Sequence, residues 1–362
     1  MDKKIKVGVI GATGMIGQNY LRLLSRHPWF EVVYLAASPN SAGKKYADAV
    51  AGRWHMNSDI PEPYRGIVIE DAGDVSKALG KCRIIFSAVE MDKKAILALE
   101  EEYAGSGFAV VSNNSAHRAT PDVPVMIPEI NHEHLDIIPQ QRKQRGWKEG
   151  LLVVKPNCSI QSYMLPIYAL LRAGYRIDAM IVSTLQAVSG AGYPGPASID
   201  LIDNVLPTLA GEEDKSEVEP AKILGKVQAG KIVSDTSIRI SAHCNRVAVS
   251  DGHTACVSLK FAGKKPSLLE IIDTWRNFTS VPQELKLPSA PIPPLIYRNE
   301  PDRPQPRTDR DAGGGMAVTV GRLRPCNVFD IRFVGLHHNT VRGAAGGSIL
   351  TAELLVAKGY VK

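Results

Sequence analysis

The opening stretch, "IKVGVIGATGMIGQNYLRLLSRHP", constrains the fold more than any other part of the chain. An apolar, β-branched segment over residues 5–10 predicts a strand, glycines follow at 11, 14 and 17, and a helical pattern then runs to Pro28. Glycine lets a backbone approach a diphosphate closely, and a helix N-terminus offers N–H groups and a positive dipole. The stretch therefore predicts the first βα unit of a dinucleotide-binding domain. Because the spacing is Gly-x-x-Gly-x-x-Gly rather than GxGxxG, a purely structural turn is the alternative.

The end of the second predicted strand indicates which dinucleotide is bound. A fold that prefers NAD places an Asp or Glu there to bind the ribose 2′-hydroxyl. In this chain the strand ends at Ala37-Ser38, and Ser41, Lys44 and Lys45 follow. Hydroxyls and lysines accommodate a 2′-phosphate, which a carboxylate would repel, so NADP is the expected cofactor. An exposed Ser/Lys loop without such a role is the alternative.

Strands and helices alternate through the rest of the first half. Strand-like stretches cover residues 66–70, 83–89, 108–114 and 151–154, and helical stretches cover 92–103 and 131–145. This alternation predicts an α/β fold with a mostly parallel, doubly wound, Rossmann-like sheet. Ligands bind such sheets at the carboxyl ends of the strands, which is where "FSAV", "SNNSAHR" and "KPNCS" fall.

The second half predicts an α+β domain with an antiparallel or mixed sheet. Its strand-like segments include "AMIVSTLQAVSGAG", "SIRISAHCNRVAVSDGHTACVSLKF" and "MAVTVGRLR". Ser250-Asp251-Gly252 predicts a hairpin turn in the second of these, and Pro166 should kink or delay the helix that follows Cys158. The segment from residue 282 to residue 310 has eight prolines and predicts an irregular arm. Its apolar residues indicate that the arm is ordered, and we expect it to pack against a second subunit.

The length of 362 residues allows two domains with separate cores. We expect residues 1–157 to form an NADP-binding domain and residues 158–340 a catalytic and dimerisation domain. The last segment, 341–362, reads as a glycine turn and a helix that packs back onto the first domain.

Composition argues against several classes of protein. Five cysteines without a CxxC pair indicate reduced thiols and no metal site. A signal-peptide pattern is missing and no apolar run approaches ~18 residues, so we expect a cytoplasmic protein that does not cross a membrane. The net charge of +6 suits an anionic substrate or cofactor. One basic cluster, Arg142, Lys143, Arg145 and Lys148, favours a solvated helix end over a nucleic-acid patch.

Cys158 lies between "KPN" and a predicted helix, a position that suits a nucleophile. A free cysteine is by default a small buried hydrophobe. Beside a hydride-transfer cofactor, however, a thiolate can add to an aldehyde, and loss of hydride leaves a thioester for a second nucleophile. A helix N-terminus and a nearby base would lower the pKa of the thiol. His253, seven residues after Arg246 in "CNRVAVSDGHT", could be that base in one pocket with Arg246; a structural histidine is the alternative.

Taken together, the motifs resemble those of one family. "GATGMIG", "SNNSAHR", "KPNCSIQ", "LQAVSGAG", "GEEDKSEVEPAKILG" and "CNRVAVSDGHT" are similar to motifs of aspartate-semialdehyde dehydrogenases, and the last three resemble the fungal and archaeal branch most. They occur in the family's order over nearly the whole chain, from Gly8 to the final "VRGAAGG". Their joint occurrence is far more specific than any one of them.

The resemblance implies roles for four catalytic residues. Cys158 would be the nucleophile, His253 the general acid/base and Gln186 the amide that orients the substrate. Asn157 would sit at the thioester oxygen, where its side chain or nearby backbone stabilises an oxyanion. No metal is implied, and Lys155 has no assigned role.

It also implies the residues that bind substrate and cofactor. Arg246 would hold the substrate α-carboxylate and Glu219 its ammonium, while Lys222 and Arg118 would bind phosphate. An exposed helical pair is the alternative for Glu219 and Lys222. Residues implied to bind the cofactor are Gly11, Thr13, Gly14, Met15, Ile16, Gly17, Ser38, Ser41, Lys44, Ser87, Ser189, Gly190, Gly192 and Asn339.

The implied reaction is the reduction of L-aspartyl 4-phosphate to L-aspartate 4-semialdehyde by NADPH, through a thioester on Cys158, in a homodimer or homotetramer. The main alternative is a malonyl-CoA reductase, which lacks a substrate ammonium for Glu219 to bind. N-acetyl-γ-glutamyl-phosphate reductase has related chemistry, but its cysteine segment differs from "KPNCSIQ". A catalytically silent NADP-binding regulator is a further alternative, which the presence of both Cys158 and His253 disfavours.

Overall fold

The computed structural model describes residues 4–361, which fold into two six-stranded sheets, a two-stranded sheet and surrounding helices. The first large sheet is parallel, with the order β3-β2-β1-β4-β5-β6. This order winds outward in both directions from β1 and confirms the predicted doubly wound sheet. Its strands are β1 (Ile5–Ile10), β2 (Phe30–Ala37), β3 (Glu70–Asp71), β4 (Ile84–Ser87), β5 (Ala109–Ser112) and β6 (Leu151–Val154).

Two predicted elements of this half differ in the structure. The strand predicted over 66–70 shortens to β3, because residues 67–69 hydrogen-bond with the backbone of residues 43–46 instead of joining the sheet. The helix predicted over 131–145 is in the structure a 3₁₀ segment over His132–Ile137, followed by an α-helix that has Pro139 in its first turn. A short α-helix, Pro128–Asn131, precedes them. The helices of the first half are α1 (Met15–Leu24), α2 (Tyr46–Ala49), α3 (Glu62–Arg65), α4 (Lys93–Gly105), α5 (Pro128–Asn131) and α6 (Ile138–Arg145).

The second large sheet is mixed, as predicted, with the order β10-β7-β11-β14-β13-β12. Its outer pairs, β10 with β7 and β12 with β13, are parallel, and the inner pairs are antiparallel. A separate pair, β8 with β9, is antiparallel. The strands are β7 (Arg176–Gln186), β8 (Lys226–Gln228), β9 (Lys231–Val233), β10 (Arg239–Arg246), β11 (His253–Ala262), β12 (Leu295–Arg298), β13 (Val318–Pro325) and β14 (Ile331–His337).

The hairpin predicted around Ser250-Asp251-Gly252 is wrong, because β7 lies between β10 and β11. Arg246 pairs with Gln186 on one side of β7, and Thr254 pairs with Leu185 on the other. The connecting residues 247–252 do not close a tight turn. They continue the ladder beyond β10 by hydrogen-bonding with the backbone of residues 186–189.

The remaining helices are α7 (Met164–Arg172), α8 (Glu212–Ile223), α9 (Leu268–Arg276), α10 (Val281–Glu284), α11 (Pro306–Asp309) and α12 (Gly346–Ala357). Pro166 does delay α7, which begins only after a 3₁₀ turn over Ser159–Ser162. The proline-rich arm is ordered: it forms α10, β12 and α11, and its Leu287 and Leu295 are buried. In the basic cluster, Arg145 binds Asp122 through two hydrogen bonds.

The C-terminal helix α12 packs against the first sheet. Ile349, Leu350 and Leu354 share a buried cluster with Val7 and Val9 of β1. The end of the chain is thus part of the core that supports the glycine turn. Within residues 4–361, none of the helices combines the length and the apolar character needed to span a bilayer.

Candidate active site

Cys158 follows β6 at the carboxyl edge of the parallel sheet, on a turn held by its neighbour. The Asn157 Oδ1 atom accepts hydrogen bonds from the Ser159 N–H at 2.9 Å and from the Ser159 hydroxyl at 2.7 Å. Asn157 therefore caps the 3₁₀ turn that starts after Cys158. Cys158 is partly exposed, in contrast with the fully enclosed Ser159.

His253, the first residue of β11, meets Cys158 although 95 positions separate them in sequence. The Cys158 Sγ to His253 Nε2 distance is 3.3 Å. On the other side of the ring, Nδ1 accepts the Ala187 N–H at 3.0 Å, so in the neutral ring the proton resides on Nε2 and faces the sulfur. Burial, with the charge of Arg246 adding to it, holds the pKa of His253 well below its usual range.

Arg246 enters the same pocket from the end of β10. Its Nη1 donates to the Ala187 carbonyl at 2.8 Å, so Arg246 and His253 are both anchored to the backbone of one residue. A Cβ atom at Gly190 would lie 2.9 Å from Arg246 Nη1 and 3.0 Å from His253 Cε1. Only glycine leaves room there, which places position 190 against both side chains. The predicted shared pocket thus exists without the predicted hairpin.

Glu219 and Lys222 lie on the buried face of α8, so they do not form an exposed helical pair. Glu219 accepts from Arg118 Nη1 at 2.9 Å and from the Asn157 N–H at 2.7 Å. Lys222 Nζ donates to the carbonyls of Arg118 and Thr120 at 2.8 and 2.6 Å. Burial lowers the pKa of Lys222 to about 8. Glu219 and Arg118 therefore bind the backbone next to the nucleophile, and Lys222 binds the backbone of the loop that carries Arg118.

Glu212, which the sequence did not single out, also reaches this centre. Its carboxylate accepts from Asn157 Nδ2 at 2.9 Å, Gln186 Nε2 at 3.2 Å and Lys215 Nζ at 2.9 Å. A spacing of seven residues puts Glu212 on the same face of α8 as Glu219, which is the sequence signal that could have found it. Both N–H donors of Asn157 thus have carboxylate partners, and its role at an oxyanion stays a prediction.

A cleft of about 550 Å³ opens beside this centre, between the N-terminus of α1 and two loops of the second sheet. Met15, Ser189 and Gly192 line it, as do His338 and Thr340. The glycine turn before α1 is closely packed, because a Cβ atom at Gly11 would lie 2.2 Å from the Ala88 carbonyl oxygen and one at Gly17 2.3 Å from the Gly11 oxygen. Gly14, by contrast, is exposed at the start of the helix. This combination fits a diphosphate approaching the N-terminus of α1.

Known proteins match this chain over nearly its whole length. Residues 6–138 match the sequence model of a semialdehyde dehydrogenase NAD-binding domain, and residues 167–342 match that of a semialdehyde dehydrogenase dimerisation domain. An aspartate-semialdehyde dehydrogenase of Cryptococcus neoformans is 43% identical over 99% of both chains, and one of Archaeoglobus fulgidus is 44% identical over 98% of both. The chain belongs to the aspartate-semialdehyde dehydrogenase family.

A solved member of the family shares the fold throughout. The crystal structure of aspartate-semialdehyde dehydrogenase with NADP from Candida albicans superimposes with a TM-score of 0.89 at 40% identity, covering 99% of this chain and 100% of that one. The first matched region holds the parallel sheet except for β6, and the second holds every strand of the mixed sheet.

The residues predicted to bind the cofactor differ in where they lie. Met15, Ser189 and Gly192 line the cleft, and Asn339 Nδ2 donates to Ser189 Oγ at 2.8 Å. Ser38 and Lys44 are exposed beyond the end of β2, whereas Ser41 is buried. Ser87 is buried and donates to Glu100 at 2.6 Å, so the structure gives its hydroxyl a protein partner instead of leaving it for a cofactor.

Two further buried side chains close to the nucleophile were not predicted. Lys155 is 3% exposed and its Nζ donates to the Pro156 carbonyl at 2.5 Å. His337, paired in register with His253 on β14, has no hydrogen-bond partner at either ring nitrogen among the described residues. Cys158 and His337 face one spot, because a Cβ atom at Gly343 would lie 3.1 Å from the Cys158 Cβ and 2.8 Å from the His337 Nε2.

Proposed function

We propose that this chain is an NADP-dependent aspartate-semialdehyde dehydrogenase that reduces L-aspartyl 4-phosphate to L-aspartate 4-semialdehyde. The observation that carries the proposal is the 3.3 Å contact between Cys158 Sγ and His253 Nε2. Gly190 faces His253, and its neighbours Ser189 and Gly192 line the cleft. A nucleophile held against an N–H donor, beside a dinucleotide-sized cleft, suits acyl transfer followed by hydride transfer. The names of full-length relatives that are 40–44% identical support the same substrate.

The first step is attack of the Cys158 thiolate on the acyl carbon. The C–S bond forms, the C–O bond to phosphate breaks, and inorganic phosphate leaves with the electron pair of that bond. Arg118 and Lys222 are the cations proposed to receive the phosphate. Arg118 pairs with Glu219 and Lys222 with backbone carbonyls, so each holds a fixed position before the substrate arrives.

NADPH, when bound in the cleft, supplies the hydride that adds to the thioester carbon. His253 is oriented to act on the oxygen of that carbonyl, because the Ala187 N–H keeps its proton on Nε2. A hydrogen bond from Nε2–H to the oxygen stabilises the charge that the oxygen gains. Collapse of the resulting tetrahedral alkoxide then breaks the C–S bond and releases the aldehyde and the thiolate.

Substrate selection follows from two buried charges. Arg246 offers a forked guanidinium whose Nε has no hydrogen-bond partner among the described residues, which suits the substrate α-carboxylate. Glu219 offers a carboxylate for the α-ammonium. A malonyl-CoA substrate has the carboxylate but lacks the ammonium, so Glu219 favours the amino acid.

The assay is NADP reduction by purified protein with aspartate semialdehyde, with and without inorganic phosphate. We expect steady NADPH formation that requires phosphate, and far lower rates with NAD. Absence of a phosphate-dependent signal would refute the proposal, and NADPH oxidation driven by malonyl-CoA would replace it with the CoA-dependent alternative.

We further propose a homodimer or homotetramer assembled through the second sheet, in the cytoplasm. The match of residues 167–342 to a dimerisation domain supports the assembly, and five unpaired cysteines support a reducing compartment. Light scattering on the purified protein distinguishes dimer from tetramer, and a monomeric mass would refute assembly.

A further inference from the structure

Glu212 is the first residue of α8, and its side chain joins two residues of the predicted catalytic centre. Gly211, with φ of +68°, turns the chain just before the helix, and the Glu212 side chain that follows is only 15% exposed. Its carboxylate accepts from Asn157 Nδ2 at 2.9 Å and from Gln186 Nε2 at 3.2 Å. One carboxylate therefore connects the nucleophile turn after β6 with the last residue of β7, which belongs to the other sheet.

The charge state of Glu212 determines which atoms can face it. Burial raises the pKa of Glu212, but the hydrogen bond and the charge of Lys215, together with the amide donors, outweigh burial and hold the pKa below its ordinary value. The group is therefore ionised at neutral pH. An ionised carboxylate has no proton to donate, so every polar atom that contacts it must be a donor.

This requirement gives each of the two amides a single orientation. Asn157 turns its NH2 group to Glu212, and its Oδ1 then accepts from the Ser159 N–H at 2.9 Å and the Ser159 hydroxyl at 2.7 Å. Gln186 divides its NH2 group between Glu212 and Thr184 Oγ1, the latter at 3.3 Å. Neither amide can turn over without bringing an oxygen against the carboxylate, so Glu212 holds both in place.

The usual reasons for an acid at the start of a helix do not account for these contacts. The exposed Asp214, in the same turn, serves the helix dipole equally well. The ion pair with Lys215 uses Oε1 at 2.9 Å, while Oε2 accepts from Gln186. After burial, Glu212 is also the largest influence that raises the pKa of the Cys158 thiol, which works against a thiolate. The benefit of this carboxylate must therefore come from the groups that it holds.

We propose that Glu212 is a positioning residue whose carboxylate fixes the side-chain amides of Gln186 and Asn157 for the reaction. The inference rests on the proposed function, in which Gln186 orients the substrate beside Cys158. Misplacing an orienting group slows the chemical step, because the reacting atoms are no longer aligned, and leaves binding of the cofactor nearly unchanged. In this account Glu212 acts through the two amides and does not contact the substrate.

The test compares Glu212→Gln with two matched controls in the phosphate-dependent reduction of NADP. Glutamine keeps the shape but replaces one acceptor oxygen by an NH2 group, which then opposes another donor. We expect kcat to fall about 10- to 100-fold, with little change in KM for NADP or in melting temperature. Asp214→Asn removes the same charge from the same helical turn, and Lys215→Met removes the ion pair alone. Each control should change kcat by less than about 3-fold.

A double-mutant cycle with Gln186→Ala tests whether Glu212 acts through Gln186. Once the amide is removed, Glu212 has nothing to position at that site. We therefore expect the fall in kcat/KM of the double variant to be at least about 5-fold smaller than the product of the two single falls. A double variant whose fall equals that product would overturn the proposal.

Wild-type kcat in Glu212→Gln would also overturn it. A higher KM for the semialdehyde at unchanged kcat would do the same, because Glu212 would then be a substrate ligand. If Glu212→Gln does not fold by circular dichroism, Glu212→Asp decides in its place: it keeps the charge but withdraws the carboxylate by about 1.5 Å, so kcat should again fall, and wild-type kcat would refute positioning. Failure of the proposed function would look different, since the wild type itself would give no phosphate-dependent NADPH.

Discussion

Replacing Arg342 by methionine is expected to destabilise the fold strongly. Arg342, in the "VRGAAGG" segment, is 2% exposed and donates from Nη1 to Glu129 Oε1 at 2.8 Å and to the Met316 carbonyl at 2.7 Å. Glu129 is 1% exposed, and its Oε2 already has no partner among the described residues. The arginine thus connects α5 to the segment that precedes α12, and α12 packs against β1.

The expected loss of unfolding free energy follows from the buried charge that Arg342→Met leaves without a partner. Methionine fills much of the volume, but the Glu129 carboxylate stays buried without its cation, and breaking such a pair costs about 3–5 kcal/mol. Replacing both residues, as Glu129→Leu with Arg342→Met, removes the uncompensated charge. We therefore expect the double variant to lose less unfolding free energy than the sum of the two single variants, by about 2 kcal/mol or more.

Urea unfolding followed by circular dichroism, at one protein concentration, measures these free energies. Arg83→Met is the matched control, because the Arg83–Glu149 pair is mostly exposed at 3.4 Å and should contribute less than about 1 kcal/mol. A loss of unfolding free energy below about 1 kcal/mol in Arg342→Met would refute the reasoning. A double variant whose loss equals the sum of the two single losses would refute it as well.

Three further substitutions test the site itself. Gly190→Ala places a Cβ atom 2.9 Å from Arg246 Nη1 and 3.0 Å from His253 Cε1, so kcat/KM should fall about 100-fold with little change in melting temperature; unaltered kinetics would contradict the packing argument. Glu219→Gln removes the proposed ammonium partner, and a loss of about 1.5–3 kcal/mol, roughly 10- to 150-fold in kcat/KM for the semialdehyde, is expected. Lys44→Ala should raise KM for NADP much more than KM for NAD, and equal effects would refute a 2′-phosphate role.

The first βα unit was predictable because its physics is local. β1 and α1 lie where the apolar run and the helical pattern placed them, and the glycines between them are close to neighbouring backbone. The contact between Cys158 and His253 was also predictable, but through the resemblance to a family. No periodicity relates two residues that are 95 positions apart.

What the sequence did not reveal depends on which strands become neighbours. β10 and β11 look like a hairpin because they are adjacent in sequence, yet each gains a full ladder by pairing with the long strand β7. The sequence also did not show which individual charged residues would be buried. Lys155 and Glu212 resemble ordinary surface residues until tertiary packing encloses one and directs the other to Asn157 and Gln186.

The most direct test of the central claim is to trap the acyl group on Cys158. With aspartate semialdehyde and NADP but no phosphate, we expect a burst of one NADPH per subunit, together with an aspartyl adduct on the Cys158 peptide by mass spectrometry. Added phosphate should discharge the adduct and start steady turnover, and Cys158→Ala should show neither burst nor adduct. A burst without an adduct on Cys158, or turnover that proceeds in the Cys158→Ala protein, would contradict the account.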